Sequence, residues 1–329
     1  MRKINNVPVE AHTDLSSLTG GEVLKWDADN GKMAWEDQDD TGFVPGPAWC
    51  GGRGVFGGGA IRKNTIEYIT ISTTGNSTDF GDLVTGRENI GGLSNGSRGV
   101  FAGGEYNVTI EYITISTTGN TTDFGDLNYG SPSYSIEGSC NGTRGIFQGE
   151  HNSATGDRLD YITVATTGNA TAFGTLSTRR RYTGQLGNAT RAIFAGGKIS
   201  ALSNIIDYVT YSTTGDSTDF GDLTQARETC YGLSDTTRGV WGAGRPDFVN
   251  VLDYVTMATT GNATDFGDMT VVRYGAGACS DGTKGLWGGG FGGSYSNVID
   301  YITIQTTGNT TDFGDLLGTQ GYGTGLAGD

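Results

Sequence analysis

Apolar residues in this chain come in short runs, each closed by a polar turn. Arg98-Gly-Val-Phe-Ala-Gly-Gly104 leads through a short loop to Ile110-Glu-Tyr-Ile-Thr-Ile-Ser-Thr-Thr-Gly119 and then to Thr122-Asp-Phe-Gly-Asp-Leu127. A looser stretch follows, ending in a small turn such as Leu93-Ser-Asn-Gly-Ser97 or Cys279-Ser-Asp-Gly-Thr283. The β-branched and aromatic residues of these runs suit a pleated, half-buried surface, and Gly-Asn and Asn-Gly pairs supply the tight turns between them. Each unit therefore predicts four strands: A, the looser stretch (Tyr274-Gly-Ala-Gly-Ala-Cys279, for instance); B, RGVFAGG; C, IEYITIST; and D, TDFGDL.

The unit recurs. Thr-Thr-Gly ends at Gly75, Gly119, Gly168, Gly215, Gly261 and Gly308, at spacings of 44, 49, 47, 46 and 47 residues. A period of that length with four strands per unit predicts propeller blades. The first unit begins at strand B, Arg53-Gly-Val-Phe-Gly-Gly-Gly59, without a clear strand A before it, while Gly321-Tyr-Gly-Thr-Gly-Leu-Ala-Gly-Asp329 reads as a strand A without a blade. Joining the two closes the ring and removes an open sheet edge. The expectation is an all-β, six-bladed propeller over residues 51–329, closed by its C-terminal strand, with an N-terminal arm over 1–50.

Composition sharpens this picture. Glycine is 58 of 329 residues, about 18% against roughly 7% in average proteins, which excludes a mainly helical chain; only 5 prolines accompany it, too few for low-complexity disorder. The net charge of −15 disfavours nucleic acid and anionic membranes as partners. No apolar run is long enough for a membrane span, and the first eighteen residues lack the apolar core of a signal peptide. Cys50, Cys140, Cys230 and Cys279 are far apart with no CxxC, so neither a zinc site nor a disulfide framework is expected. The two histidines, His12 and His151, make no metal cluster, and no nucleophile, metalloprotease or phosphate-loop motif lies in its required context. Strand D carries an Asp pair in five units, such as Asp79/Asp82, but the third unit has Ala172 and Thr175 there. A catalytic pair would occur once rather than around a ring, so these carboxylates read as turn-forming groups. No enzyme activity and no cofactor are expected.

The Gly103-Gly104 doublet after strand B, Tyr112 in strand C, Phe124 in strand D, and Arg87, Arg227 and Arg273 beyond strand D resemble kelch repeats, with Phe where kelch strand D usually has Trp. The phrase YITIxTTGNxTDFGDL is similar to kelch-like virion proteins of tailed, particularly marine, bacteriophages. The arm segment Gly21-Glu-Val-Leu-Lys-Trp26 through Gly31-Lys-Met-Ala-Trp35 reads as a hairpin on an Asn-Gly turn and resembles segments of phage tail-fibre and adhesin-like proteins. The resemblance implies a virion structural protein, made in the host cytoplasm and located on the virion.

In a propeller, loops A–B and C–D share one face and loops B–C and D–A the other. The first set is near-identical in every unit; the second differs in every unit. Variable loops on a repeated frame are where recognition sits. The candidate ligand residues are Tyr106, Tyr129, His151, Arg179, Arg180, Arg181, Arg245, Phe248, Phe291 and Tyr295, and the expected ligand is an anionic host-surface glycan. Arg87, Arg227 and Arg273 have a competing role, holding neighbouring blades together. Trp26 and Trp35, too large for a small hairpin to bury, are the candidate contacts to other virion proteins. The alternatives are a decoration protein without a ligand and a glycan-degrading propeller.

Overall fold

The computed structural model describes the chain except residues 1–2, 5–6, 9–21, 28–31, 38–48, 105–106, 129–135, 150–156 and 247–248; in the arm it describes the backbone of the strands alone. Two compact units divide it, Met1–Pro45 and Gly46–Asp329. The first contains a two-residue pairing, Lys3–Ile4 with Val7–Pro8, and the expected hairpin, Glu22–Asp27 antiparallel to Lys32–Asp37. In that hairpin Trp26 stands opposite Met33 and Trp35 opposite Leu24.

The second unit is the six-bladed propeller. In blade 2 the strands are A, Gly91–Ser94; B, Arg98–Ala102; C, Thr109–Thr114; and D, Thr122–Asp126, hydrogen-bonded in that order and antiparallel throughout. Blades 3 to 6 begin with strand A at Glu137–Cys140, Gly184–Gly187, Tyr231–Ser234 and Gly277–Ser280. Blade 1 takes strand A from Thr324–Gly328, which pairs antiparallel with Arg53–Gly57, so that Gly328 lies opposite Arg53. Asp329 adds a carboxylate that accepts the Gly52 N–H at 3.1 Å. The two ends of the ring thus meet on the face of the A–B and C–D loops.

Strand A is shorter than the sequence pattern implies. Tyr274 and Tyr322 precede it on the D–A crossover, and Tyr322 has φ of 58°. Strands A of neighbouring blades pack against one another around the axis, and a cavity of about 80 Å³ between them is lined by small and polar groups such as Ser94, Ser139, Gln185 and Ser280. Trp49 and Cys50 also line it, so these residues belong to the ring although the sequence pattern puts them in the arm. All four cysteines are buried and free; burial pushes the Cys50 and Cys140 thiols up to about 12.

The core lies between blades. Val55, Ile66 and Phe80 of blade 1 pack with Phe101, Ile113 and Ile115 of blade 2, and the other junctions repeat the arrangement. Strand D carries one extra residue in its pairing with strand C, a bulge seen in every blade, and its Phe turns inward edge-on to the strand C Tyr, as for Tyr112 and Phe124 at 6.1 Å.

The outer edge of each strand D is covered by the next blade. Gly119 N–H donates to Phe80 C=O at 2.8 Å, Thr121 N–H to Asp82 C=O at 2.9 Å, and Asp82 N–H to Asn120 Oδ1 at 3.0 Å. Gly75, Ser77 and Asn76 make the same three bonds to blade 6, closing the circle. This contact explains the invariant glycine of TDFGD: a Cβ on Gly81 would sit 2.4 Å from the Gly119 oxygen, and its φ is +150°. The phrase TTGNxTDFGDL therefore encodes both halves of a clasp that hides the sheet edge.

Candidate functional site

The site is built from the D–A crossovers upward. Four residues after the apolar residue that closes strand D, an arginine turns into the seam and meets the strand C acid of the following blade: Arg87 with Glu111 at 2.8 Å, Arg180 with Asp207 at 2.8 Å, Arg227 with Asp253 at 3.0 Å, and Arg273 with Asp300 at 2.9 Å. These side chains are almost wholly buried. Burial lowers the pKa of Arg273 and raises that of Asp300, each opposed by the partner's charge. Gln320 holds the same register before blade 1, where Glu67 accepts the Ser77 hydroxyl and the Leu317 N–H, both at 2.7 Å.

Arg180 is thereby corrected. Its guanidinium, 1% exposed, also donates to the Gly196 and Thr178 carbonyls. The seam is a low-dielectric slot with one carboxylate, so one arginine of the Arg179-Arg-Arg181 triplet fills it. Arg179 stays exposed and Arg181 half-exposed on the surface. Arg87, Arg227 and Arg273 occupy the blade-holding role.

Fixing the crossover fixes the residue after the arginine. In blades 4, 5 and 6 that residue forms a two-way backbone bridge with the first residue of the B–C loop: Arg181 with Lys198, Glu228 with Arg245, and Tyr274 with Phe291, at N–O distances from 2.8 to 3.1 Å. One frame thus carries a cationic pair, a mixed pair and an aromatic pair in succession. Side chains join the three into a strip. Lys198 Nζ lies 3.9 Å from Glu228 Oε1. The Arg245 guanidinium stacks 4.7 Å from the Tyr274 centroid. Tyr274 contacts Phe291 at 5.6 Å and Tyr322 at 5.8 Å, and Phe291 contacts Tyr295 at 5.2 Å. Burial raises the Tyr322 and Tyr295 phenols above their ordinary value, with the Tyr274 hydrogen bond adding to the effect at Tyr322.

The surroundings are unlike the rest of the surface. Among the described residues, the exposed large aliphatics, Ile61, Val84, Val271, Val272 and Leu317, all stand on B–C loops or on the path from strand D to strand A. Ile61 is 85% exposed with φ of 64°, an uncommon conformation for a β-branched residue. The strand D aspartates, by contrast, form an acidic outer rim; Asp79, Asp123, Asp219, Asp265 and Asp312 are exposed.

Of the candidates read from sequence, Arg181, Arg245, Phe291 and Tyr295 lie along this strip. Tyr106, Tyr129, His151 and Phe248 fall outside the described residues, and Trp26 and Trp35 stand on the arm hairpin. The sequence reading missed Lys198, Glu228, Tyr274 and Tyr322 as site residues. Aligning the units on the seam arginine would have found two of them, because the next residue then reads Glu88, Arg181, Glu228 and Tyr274, a changing position beside a repeated arginine. Among the described residues no cluster of three metal-ligating side chains occurs. No protein-family model matches the chain, and no curated protein matches it.

Proposed function

We propose that this chain is a virion structural protein of a tailed bacteriophage whose N-terminal arm attaches it to other virion proteins and whose variable face binds an anionic saccharide on the host surface. The observation that carries the binding half is the strip from Arg181 and Lys198 through Arg245 to Tyr274, Phe291, Tyr295 and Tyr322. Aromatic rings offer an apolar face to a sugar ring, neutral phenols offer donors to its hydroxyls, and the guanidinium of Arg245 can donate two hydrogen bonds to a carboxylate or sulfate. Aromatic and arginine side chains are also the types that dominate binding energy. Recognition without turnover is the mechanism: a preformed strip on a rigid ring, with little ordering left to do on contact.

The virion half rests on the likeness of the repeat phrase and arm hairpin to phage proteins, and on the placement of the chain's entry into the ring on the face opposite the strip. The test combines two chains. One carries Arg245→Ala and Tyr295→Ala; the other lacks residues 1–45. The first should be incorporated into virions yet lose competition for adsorption to host cells, and the second should bind cells but fail to be incorporated. Undiminished adsorption competition by the first chain leaves a decoration protein without a ligand, and shortening of the host polysaccharide by the intact chain makes it a degrading enzyme.

A further inference from the structure

The opposite face carries a second, repeated feature that the strip does not use. Where strand C passes into the C–D turn, each of blades 2 and 3 has an open pocket of about 340 and 330 Å³, within the range of about 300–1,000 Å³ typical of small-ligand sites. In blade 2 its wall includes Tyr112, Ile113, Thr114, Thr117, Thr118 and Asn120. The same positions hold Tyr, Ile or Val, three threonines, and Asn or Asp in all six blades.

Scaffold demands do not account for the threonines. The second threonine of the turn (Thr74, Thr118, Thr167, Thr214, Thr260 and Thr307) is exposed in every blade, and none of these hydroxyls hydrogen-bonds to a described residue. Simple persistence of a duplicated unit does not account for them either. The exposed position two residues earlier has drifted to Ser72, Ser116, Ala165, Ser212, Ala258 and Gln305. The clasp bonds of this turn come from the backbone of the following glycine and from the Asn or Asp side chain, so a serine or alanine at the second threonine would keep them. Six surface hydroxyls are the same while their exposed neighbour varies.

We infer that the C–D turns form a ring of six equivalent sites for an uncharged saccharide, one per blade. Threonine hydroxyls and the Asn amide supply the donors and acceptors such a ligand needs. The adjoining strand D aspartates, such as Asp123, repel anionic sugars, which separates these sites from the strip in ligand charge as well as position. Each site alone is shallow and weak. A polymer that engages several gains roughly 10²–10⁴ in apparent affinity through effective concentration. The inference stands apart from the proposed function and survives its failure.

The test is retention of the full chain on immobilised dextran and mannan, with elution by the free hexose. Retention on at least one is expected, with at least a ten-fold loss when the six second threonines are all changed to valine, less than a two-fold loss for Thr118→Val alone, and no loss for Tyr295→Ala, which damages the strip. Should the six-fold variant not fold, threonine methyl spectra of the unaltered chain, titrated with a dextran oligosaccharide, decide instead, and shifts confined to the turn threonines are expected. Absence of retention on both neutral polymers, retention unchanged by the six-fold substitution, or methyl shifts elsewhere overturns the inference.

Discussion

The two faces of the ring are made from the same repeat and treated oppositely. On the face of the A–B and C–D loops, each blade grips the next with the same atoms. Besides the clasp, the first residue of strand B stacks over the strand C Tyr and donates to the strand C end of the next blade: Arg98 lies 4.2 Å from the Tyr112 centroid and 2.8 Å from the Val164 oxygen, and Arg53, Arg144, Arg191, Arg238 and Lys284 repeat the contact. On the other face the backbone bridge is kept and the side chains on it change from blade to blade. A contact that must form at every junction fixes its residues; a position that needs only backbone bonds leaves its side chain free to specialise.

Opening the ring is the strongest challenge to the uniform face. Deleting residues 320–329 removes strand A of blade 1, the seam residue Gln320 and the buried Leu326 and Ala327. The loss should exceed a large part of the roughly 5–15 kcal/mol that holds a typical domain together, so that the urea transition loses its single cooperative step. A melt unchanged within a few degrees would show that the six blades do not depend on closure.

Next in size is a seam pair. Arg273→Ala leaves Asp300 buried without its cation, which costs about 3–5 kcal/mol, read as a lower urea midpoint at unchanged slope. The neighbouring face position should behave otherwise: Arg179→Ala removes an exposed side chain, and a stability change within about 0.5 kcal/mol is expected. Equal losses for Arg180→Ala and Arg179→Ala would contradict the assignment of Arg180 to the seam.

On the variable face the effect should fall on binding rather than folding. Phe291→Ala removes the ring between Tyr274 and Tyr295; an anchor of this type contributes about 2 kcal/mol, or roughly 30-fold in affinity by the usual relation. Binding to an anionic polysaccharide should also weaken steeply with salt because Arg245 and Arg181 are near the surface, whereas the hexose sites of the other face should be nearly indifferent to salt.

Most of the architecture was legible because six copies of one phrase average out local ambiguity. Blade number, strand order, ring closure and the arm hairpin follow from period, turn residues and the unmatched strand at the end. The crossovers were less legible. Strand A was read too long because Tyr274-Gly-Ala-Gly and Gly321-Tyr-Gly look extended in sequence, while positive φ at Gly275 and Tyr322 turns the chain there. The arginine triplet shows the other limit. Three like residues in a row carry no sign of which one faces inward; only the count of four from Leu176 to Arg180, matching Leu83 to Arg87, does so.

The smallest expected effect tests how far the variable face reaches into the ring. Glu137 opens strand A of blade 3, where other blades have Gly91, Gly184, Tyr231, Gly277 and Thr324. It is 7% exposed, and burial raises its carboxyl well above the ordinary carboxylate range, with its charge felt by Tyr231 and Cys230. A raised acid binds its proton more tightly in the folded chain than in the unfolded one. Between the ordinary value and the raised one the folded state therefore holds the extra proton, and stability falls as pH rises through that window. Each pH unit inside it costs about 1.4 kcal/mol. Glu137→Gln removes the ionisation while keeping the shape, so the variant should gain stability over the parent progressively as pH rises above the ordinary carboxylate range and converge with it near pH 4. Parallel stability curves across this range would mean that Glu137 meets enough water at the channel mouth to titrate normally, and that the variable face ends at the crossovers.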